Sequence, residues 1–388
     1  MGILSNTVNI CHFRVAGEIP DNDLFQWASE RLAKNGFRPI DDGADELSAG
    51  WVEVDDQRES AFDSPATFYR DHYLVFSLRR DQRRIPAAIL KSSLQEAETR
   101  YLAENPGLRR VPKQKREELR EAVRNSLLGR TLPVPAVWDA VWDTRSNLVS
   151  FTSLTPGILE LFENQFKKSF EGLRLVAIHP FARAGQLVGD DLRPALEKAN
   201  QASSEAAADL IRSNLWLGRD FLLWLLYQTI NGTSEYRVNQ PGPTVANEGF
   251  SAFLNDRLVL MGESENGIQK ITVAGPQDRF SEVRMALSNG KKIVEATLHL
   301  EKDELFWKLT LKGDLFHFAS LKSPSVMIEK DNTVDAASER EAVFFERICL
   351  LENGLQLFDS LFSTFLGIRL SEKWQEEERL FGEWLQAE

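Results

Sequence analysis

Apolar and polar residues alternate through "TVNICHFRV" (7–15), which predicts a strand, and "NDLFQWASERLAKNG" carries helical spacing that stops at Gly36. "GWVEVDD" and "HYLVFSLRR" predict short strands. Pro86 opens a predicted helix, "PAAILKSSLQEAETRYLAEN", ended by Pro106–Gly107, and a second helix spans Pro112 to Leu128 before Gly129. "AVWDAVWDTRSNLVSFTSL" predicts strand–turn–strand with its turn at 143–147. "TPGILELFENQFKKSFEG" is an amphipathic helix with Thr155 as N-cap and Gly172 at the exit, and "LRLVAIHP" a strand.

From Ser203 to Ile230 the pattern is helical and strongly apolar, and "NGTSEYRVNQPGPTVANEG" predicts a linker. Strands "FSAFLNDRLVLMG" and "IQKITVAG", the helix "DRFSEVRMALSNG", and strands "KIVEATLHLEK", "ELFWKLTLKG" and "LFHFASLK" follow. A polar stretch, "SPSVMIEKDNTVDAAS", leads to a Phe-rich helical C-terminus with a predicted break near Gly354. The order predicts an α+β fold. Its parts are a mixed N-terminal part (1–180), a helical segment and linker (181–243), a β-rich part (244–330) and C-terminal helices (331–388). The phenylalanines Phe358, Phe362 and Phe365 read as core or as a subunit contact, because wide apolar coverage is hard to bury against one domain.

A chain of 388 residues with 43% hydrophobic and 27% charged content can bury a sizeable core, and global disorder is not indicated. The opening segment reads as a strand rather than a leader, and "NLWLGRDFLLWLLYQTI" is interrupted by Arg219 and Asp220, so no membrane association is expected. Cys11 and Cys349, far apart in apolar sequence, favour a reducing, cytoplasmic setting and read as core residues.

Charge changes the picture most. The formal net charge is −12, yet 79–130 holds 14 Lys/Arg against 7 Asp/Glu, leaving 32 against 51 elsewhere. On the second helix Lys113, Arg116, Arg120 and Arg124 share a face beside the apolar Leu119, Val123 and Leu127. Arg109 and Arg110 precede this ridge, and Arg79, Arg80, Arg83 and Arg84 cluster in "LRRDQRRIP". Such a ridge can track phosphates; equally, Glu117, Glu118 and Glu121 can pair with Arg120, Arg124 and Lys113 to leave a solvated face. No base-reading motif accompanies it, so nucleic-acid binding would be driven by the backbone and insensitive to sequence.

Catalytic patterns are weak. His12, His72, His179, His299 and His317 lack metal-ligand spacing, and "ALSNGKK" lacks the first glycine and the Ser/Thr of a phosphate loop. Asp41–Asp42, Asp55–Asp56 and Asp190–Asp191 could hold Mg²⁺ but read as solvated loops, and Glu295, Glu301 and Lys302 form only a loose nuclease pattern. No cofactor and no enzymatic activity is expected; the alternatives are a protein-interaction scaffold using the C-terminal helices and, more weakly, a Mg²⁺-dependent nuclease.

Seven stretches in order, "GWV" (50–52), "YLVFSLRRD", "RRIPAAILKSSLQEAE", "VRNSLLGRTLP", "VWDAVWDTRSNLVSF", "EVRMALSNGKKIVEATLHL" and "ERICLLENGLQLFDSLFSTFLG", resemble the recombination-associated RdgC family of bacteria. The resemblance implies a cytoplasmic, nucleoid-associated, non-enzymatic protein that binds duplex DNA with little sequence preference. It also implies a ring-shaped homodimer with a positively lined hole, restraining a RecA-type recombinase. By position, Arg130 matches the arginine of the family's Leu-Leu-x-Arg and Lys291 its Gly-Lys. Leu132 falls where the type member carries an aromatic finger at the ring contact, a departure, and residues 218–276 look expanded. The expected DNA contacts are Arg79, Arg80, Arg83, Arg84, Arg109, Arg110, Lys113, Arg116, Arg120, Arg124, Arg130 and Lys291. The expected dimer contacts are Leu132, Phe358, Phe362 and Phe365.

Overall fold

The computed structural model describes residues 2–20, 23–41, 43, 45–264, 267–275, 280–327 and 335–386. Strand β1 (Thr7–Ala16) and helix α1 (Leu24–Lys34) lead to β2 (Leu47–Val52), the short α2 (Pro65–Phe68), β3 (Tyr69–Arg70) and β4 (Tyr73–Gln82). Two long helices, α3 (Ala87–Glu104) and α4 (Lys113–Leu128), precede β5 (Val134–Asp143), β6 (Leu148–Phe151), α5 (Pro156–Ser169) and β7 (Arg174–Ala177). The middle is helical: α6 (Pro180–Leu187), α7 (Arg193–Ala199), α8 (Ala207–Ser213) and α9 (Leu215–Asn231). Then come β8 (Glu235–Arg237), β9 (Gly249–Ser264), β10 (Gly267–Ala274), α10 (Ser281–Ser288), β11 (Lys292–Lys302), β12 (Leu305–Lys312) and β13 (His317–Lys322). Helices α11 (Ala336–Arg369) and α12 (Lys373–Gln386) close an α+β fold.

The chain forms two compact units that do not follow the four sequence blocks. The smaller comprises Gly17–Thr144 and Leu161–Arg174; the larger comprises Met1–Ala16, Arg145–Glu160 and Leu175–Glu388. In the smaller unit β4 lies between β2 and β5, both antiparallel to it. Leu78 pairs with Trp51 on one side and Trp138 on the other, so large side chains meet across the strands. Trp51 is fully buried against Phe76 and Phe162, and its indole N–H donates to Ser169 Oγ at 2.6 Å.

In the larger unit the strand order is β10-β9-β11-β12-β13-β1-β6, with β8 on β9 and β7 on β1. Helix α9 packs on β9 and β11, and its Phe221 meets Phe316, Phe358, Phe362 and Phe365. The apolar stretch 203–230 is two helices, separated where Asn214, 2% exposed, donates to Leu210 O and Asn200 Oδ1 and accepts from Gln201 N–H. Gly218 is required by close approach: a Cβ there would lie 2.0 Å from the Gly313 carbonyl oxygen.

Two expectations are revised. Helix α11 runs unbroken through Gly354, where a Cβ would fall 2.8 Å from Trp307 Cδ1; the glycine admits the indole rather than ending the helix. The segment 231–249 is not a free linker. The buried Gln356 donates to Gln240 O and Thr244 O and accepts from Thr244 N–H, and the buried Ser360 accepts from Asn239 and Gln240 N–H. Polar loop composition here satisfies backbone groups against α11 instead of water.

Burial also sets a pH dependence. His179, buried at the start of α6, is held down to about 4, and burial with the charge of Lys312 holds His317 to about 4. Unfolded imidazoles, near 6.5, bind protons that the folded groups refuse, so stability is full above about 6.5 and falls as pH drops toward 4. His179→Gln should flatten this acid limb, removing up to about 3 kcal/mol of its span, in urea unfolding series at pH 7 and pH 4.5.

Candidate nucleic-acid interface

Helices α3 and α4 form a hairpin, joined by residues 105–112, that packs on itself. No residue of α3 is buried, and Leu128 is the buried residue of α4. Leu94, Ala97 and Tyr101 of α3 and Leu119, Val123 and Leu127 of α4 are half-buried, enough to seat the helices on each other. Arg116 Nε bridges to Glu98 at 2.5 Å, and Lys115 Nζ to Glu118 at 2.9 Å. Arg124 pairs with Glu46 ahead of β2.

The root of the hairpin depends on Arg83, 2% exposed. Its guanidinium donates to the carbonyls of Ile40, Asp41, Gly43 and Asp45 in the loop before β2, and to Leu128 and Thr131 at the exit of α4. This binds both flanks of the hairpin to one cation, and among the described residues its partners are carbonyls. Arg79 is likewise committed: it forks onto Asp81 at 2.8 and 2.7 Å, with its guanidinium 4.3 Å above the Phe37 ring. Asp81 raises the Arg79 pKa, chiefly through that hydrogen bond. Arg79 and Arg83 are therefore structural, not phosphate contacts.

What remains is a ridge of exposed cations. Arg109, Arg110, Lys113, Arg120 and Arg130 are exposed and have no ion pair among the described residues, whereas Arg116 and Arg124 reach carboxylates outside α4. The expected pairing of the α4 glutamates with Arg120, Arg124 and Lys113 does not form; Glu118 takes Lys115. These guanidinium and ammonium groups lie on α4 and in the loops before and after it.

Residues 8–190 match the model of a family described as "Putative exonuclease, RdgC". The chain is RdgC-like. This RdgC-like stretch contains the whole hairpin, both of its roots and every expected DNA contact but Lys291. The motifs at 282–300 and 346–367 lie beyond it. No curated protein matches the chain.

Outside the RdgC-like stretch, Lys291 is half-exposed at the turn from α10 into β11 and belongs to the larger unit, whereas the hairpin belongs to the smaller. Phe358, Phe362 and Phe365 are 1%, 0% and 0% exposed, packed on Phe221 and Phe316. Of the two readings of the phenylalanine stripe, their burial is that of core, and a second subunit cannot reach them. Leu132, by contrast, is 78% exposed.

The acidic pairs serve as ion-pair partners: Asp55 to Arg70 at 2.6 Å, Asp56 to Arg58 at 3.2 Å and Asp190 to Arg193 at 3.7 Å. Asp42 lies outside the described residues. Glu295 pairs with Arg257 and Lys302 with Glu248 and Asp303. Among the described residues no group of three or more His, Cys, Asp or Glu converges, and no helix is long and apolar enough to cross a membrane.

Arg83→Met leaves six carbonyls without their donor and should cost about 3 kcal/mol or more of stability, while Arg120→Glu should stay within about 0.5 kcal/mol. Urea unfolding midpoints of the two variants check the contrast.

Proposed function

We propose that this chain is a recombination-associated protein that binds DNA through its backbone, with little regard for sequence. The observation that carries the reading is the hairpin of α3 and α4: barely buried, held at its root by Arg83, and lined by Arg109, Arg110, Lys113, Arg120 and Arg130, which have no carboxylate partner among the described residues. Its position within the RdgC-like stretch supports the same reading.

The finer reading is a ring-like homodimer that encircles duplex DNA, associates with the nucleoid in the cytoplasm and restrains a RecA-type recombinase, without enzymatic activity. The strong exposure of Leu132 next to the hairpin root supports it, because an uncovered leucine between Arg130 and Val134 fits a subunit contact better than solvent. The net acidity of the rest of the chain fits a clamp that attracts DNA to one surface only.

Five free cations engaged on phosphates predict that log affinity falls by roughly 4 to 5 units per decade of salt. Fluorescence anisotropy with two unrelated duplexes should give equal affinities and that slope; a flat response would remove the proposal. Replacing Arg109, Lys113 and Arg120 together by Glu should weaken binding at least tenfold. Incubation of several DNA forms with Mg²⁺ or Mn²⁺ should leave them intact; release of nucleotides would favour the exonuclease named in the family description instead.

A further inference from the structure

The four arginines of "LRRDQRR" are divided by the strand's own alternation. Arg79 and Arg83 point to one side, where Asp81 and six carbonyls absorb them. Arg80 and Arg84 alternate with them and form no ion pair among the described residues. The Arg80 side chain has no hydrogen-bond partner among the described residues, and its Nε is buried without an acceptor. Its pKa is lowered, first by burial and then by the charge of Arg84, whose own contact is Gln82 Oε1 at 3.3 Å. Two like charges within electrostatic reach of each other, one partly desolvated, are an arrangement that a bound anion relieves.

The surroundings narrow the anion. The Arg80 guanidinium lies 5.3 Å from the centroid of the Trp138 ring, giving a flat cationic and aromatic surface. Its neighbours across the strands are Ala49 and Ala136, too small to cover it. One rung further, Gln82 sits between Leu47 and Val134, which are 50% and 61% exposed, beside the even more exposed Leu132. Cation pair, flat ring and apolar rim together suit a phosphate joined to a planar heterocycle.

We infer that Arg80, Arg84 and Trp138, rimmed by Leu47 and Val134, hold one unpaired nucleotide of a DNA strand. The phosphate lies on the two guanidiniums and the base against the guanidinium–indole surface. Bases inside a duplex keep their faces stacked on each other, so this patch engages only single-stranded segments and frayed ends. The inference rests on the DNA binding proposed above and adds to it a preference that the ridge alone, reading phosphates, does not supply.

The test compares an oligothymidine strand with a blunt duplex of the same length, by anisotropy at one salt concentration, for the whole chain and for Arg80→Gln, Trp138→Leu and Arg120→Glu. Arg80→Gln and Trp138→Leu should weaken the single strand about tenfold and the duplex less than twofold, the loss expected for one stacked base. Arg120→Glu should weaken both forms alike. Photocrosslinking of a 4-thiothymidine strand should label the peptide containing Trp138, which keeps the test decisive if Trp138→Leu unfolds by circular dichroism. Equal losses on both DNA forms, or a label confined to the α4 ridge, would overturn the inference and leave the DNA-binding reading standing. A changed oligomeric state of Arg80→Gln with unchanged single-strand affinity would also overturn it, assigning the patch to a protein contact. Failure of the unmodified chain to bind either form would remove both.

Discussion

The smaller unit is organised around one buried cation. Arg83 directly follows β4, its backbone N–H donating to Glu46 O at 2.9 Å, and its side chain gathers carbonyls from the loop before β2 and from the end of α4. Carbonyl dipoles can neutralise a guanidinium without fixing the charge of any neighbour, so the hairpin is anchored while its own cations stay unspent. An anchoring carboxylate at the same place would have drawn the field of Arg84 and Arg130 inward. The positive surface of α4 thus depends on how the root is satisfied as much as on the ridge itself.

A second consequence follows for the helices. A hairpin with one buried residue has little tertiary burial to hold it, and isolated helices of this length are marginal. The bridge from Arg116 to Glu98 and the pair between Arg124 and Glu46 replace part of that missing burial, at exposed positions where each contributes modestly. The ridge is accordingly mixed: some of its cations hold the arm in place, and the others face outward.

Most elements were legible because their periodicity is strong: β1, β4, α3 and α4 lie within a few residues of where spacing and Gly/Pro punctuation place them. The pairing of charges was less legible, since a run such as "RRDQRR" invites counting rather than sorting. Strand alternation carried the missing signal: with period two, Asp81 shares a side with Arg79 and Arg83 and leaves Arg80 and Arg84 unopposed. The phenylalanine stripe held a similar signal. A helical stretch apolar around most of its circumference belongs inside a protein, and residues 350–369 of α11 include no exposed side chain, with Gly354 admitting Trp307. Nothing local announced that 231–249 would lie along α11, because its partners Gln356 and Ser360 stand more than a hundred residues away. Trp138 was visible only as a strand residue; its role depends on a diagonal neighbour in β4.

Strand β1 occupies the interior of the larger unit's sheet, between β6 and β13, and Thr7 pairs with Lys322 across nearly the whole chain. As the polypeptide leaves the ribosome, the β6 side of that strand can be satisfied early, but its other edge waits for the last strand to be made. Contacts of such sequence separation are slow to close, and an unpaired edge is exposed meanwhile. The order of synthesis and the order of assembly are therefore opposed in this half of the molecule, and β1, made long before β13, is completed only after it.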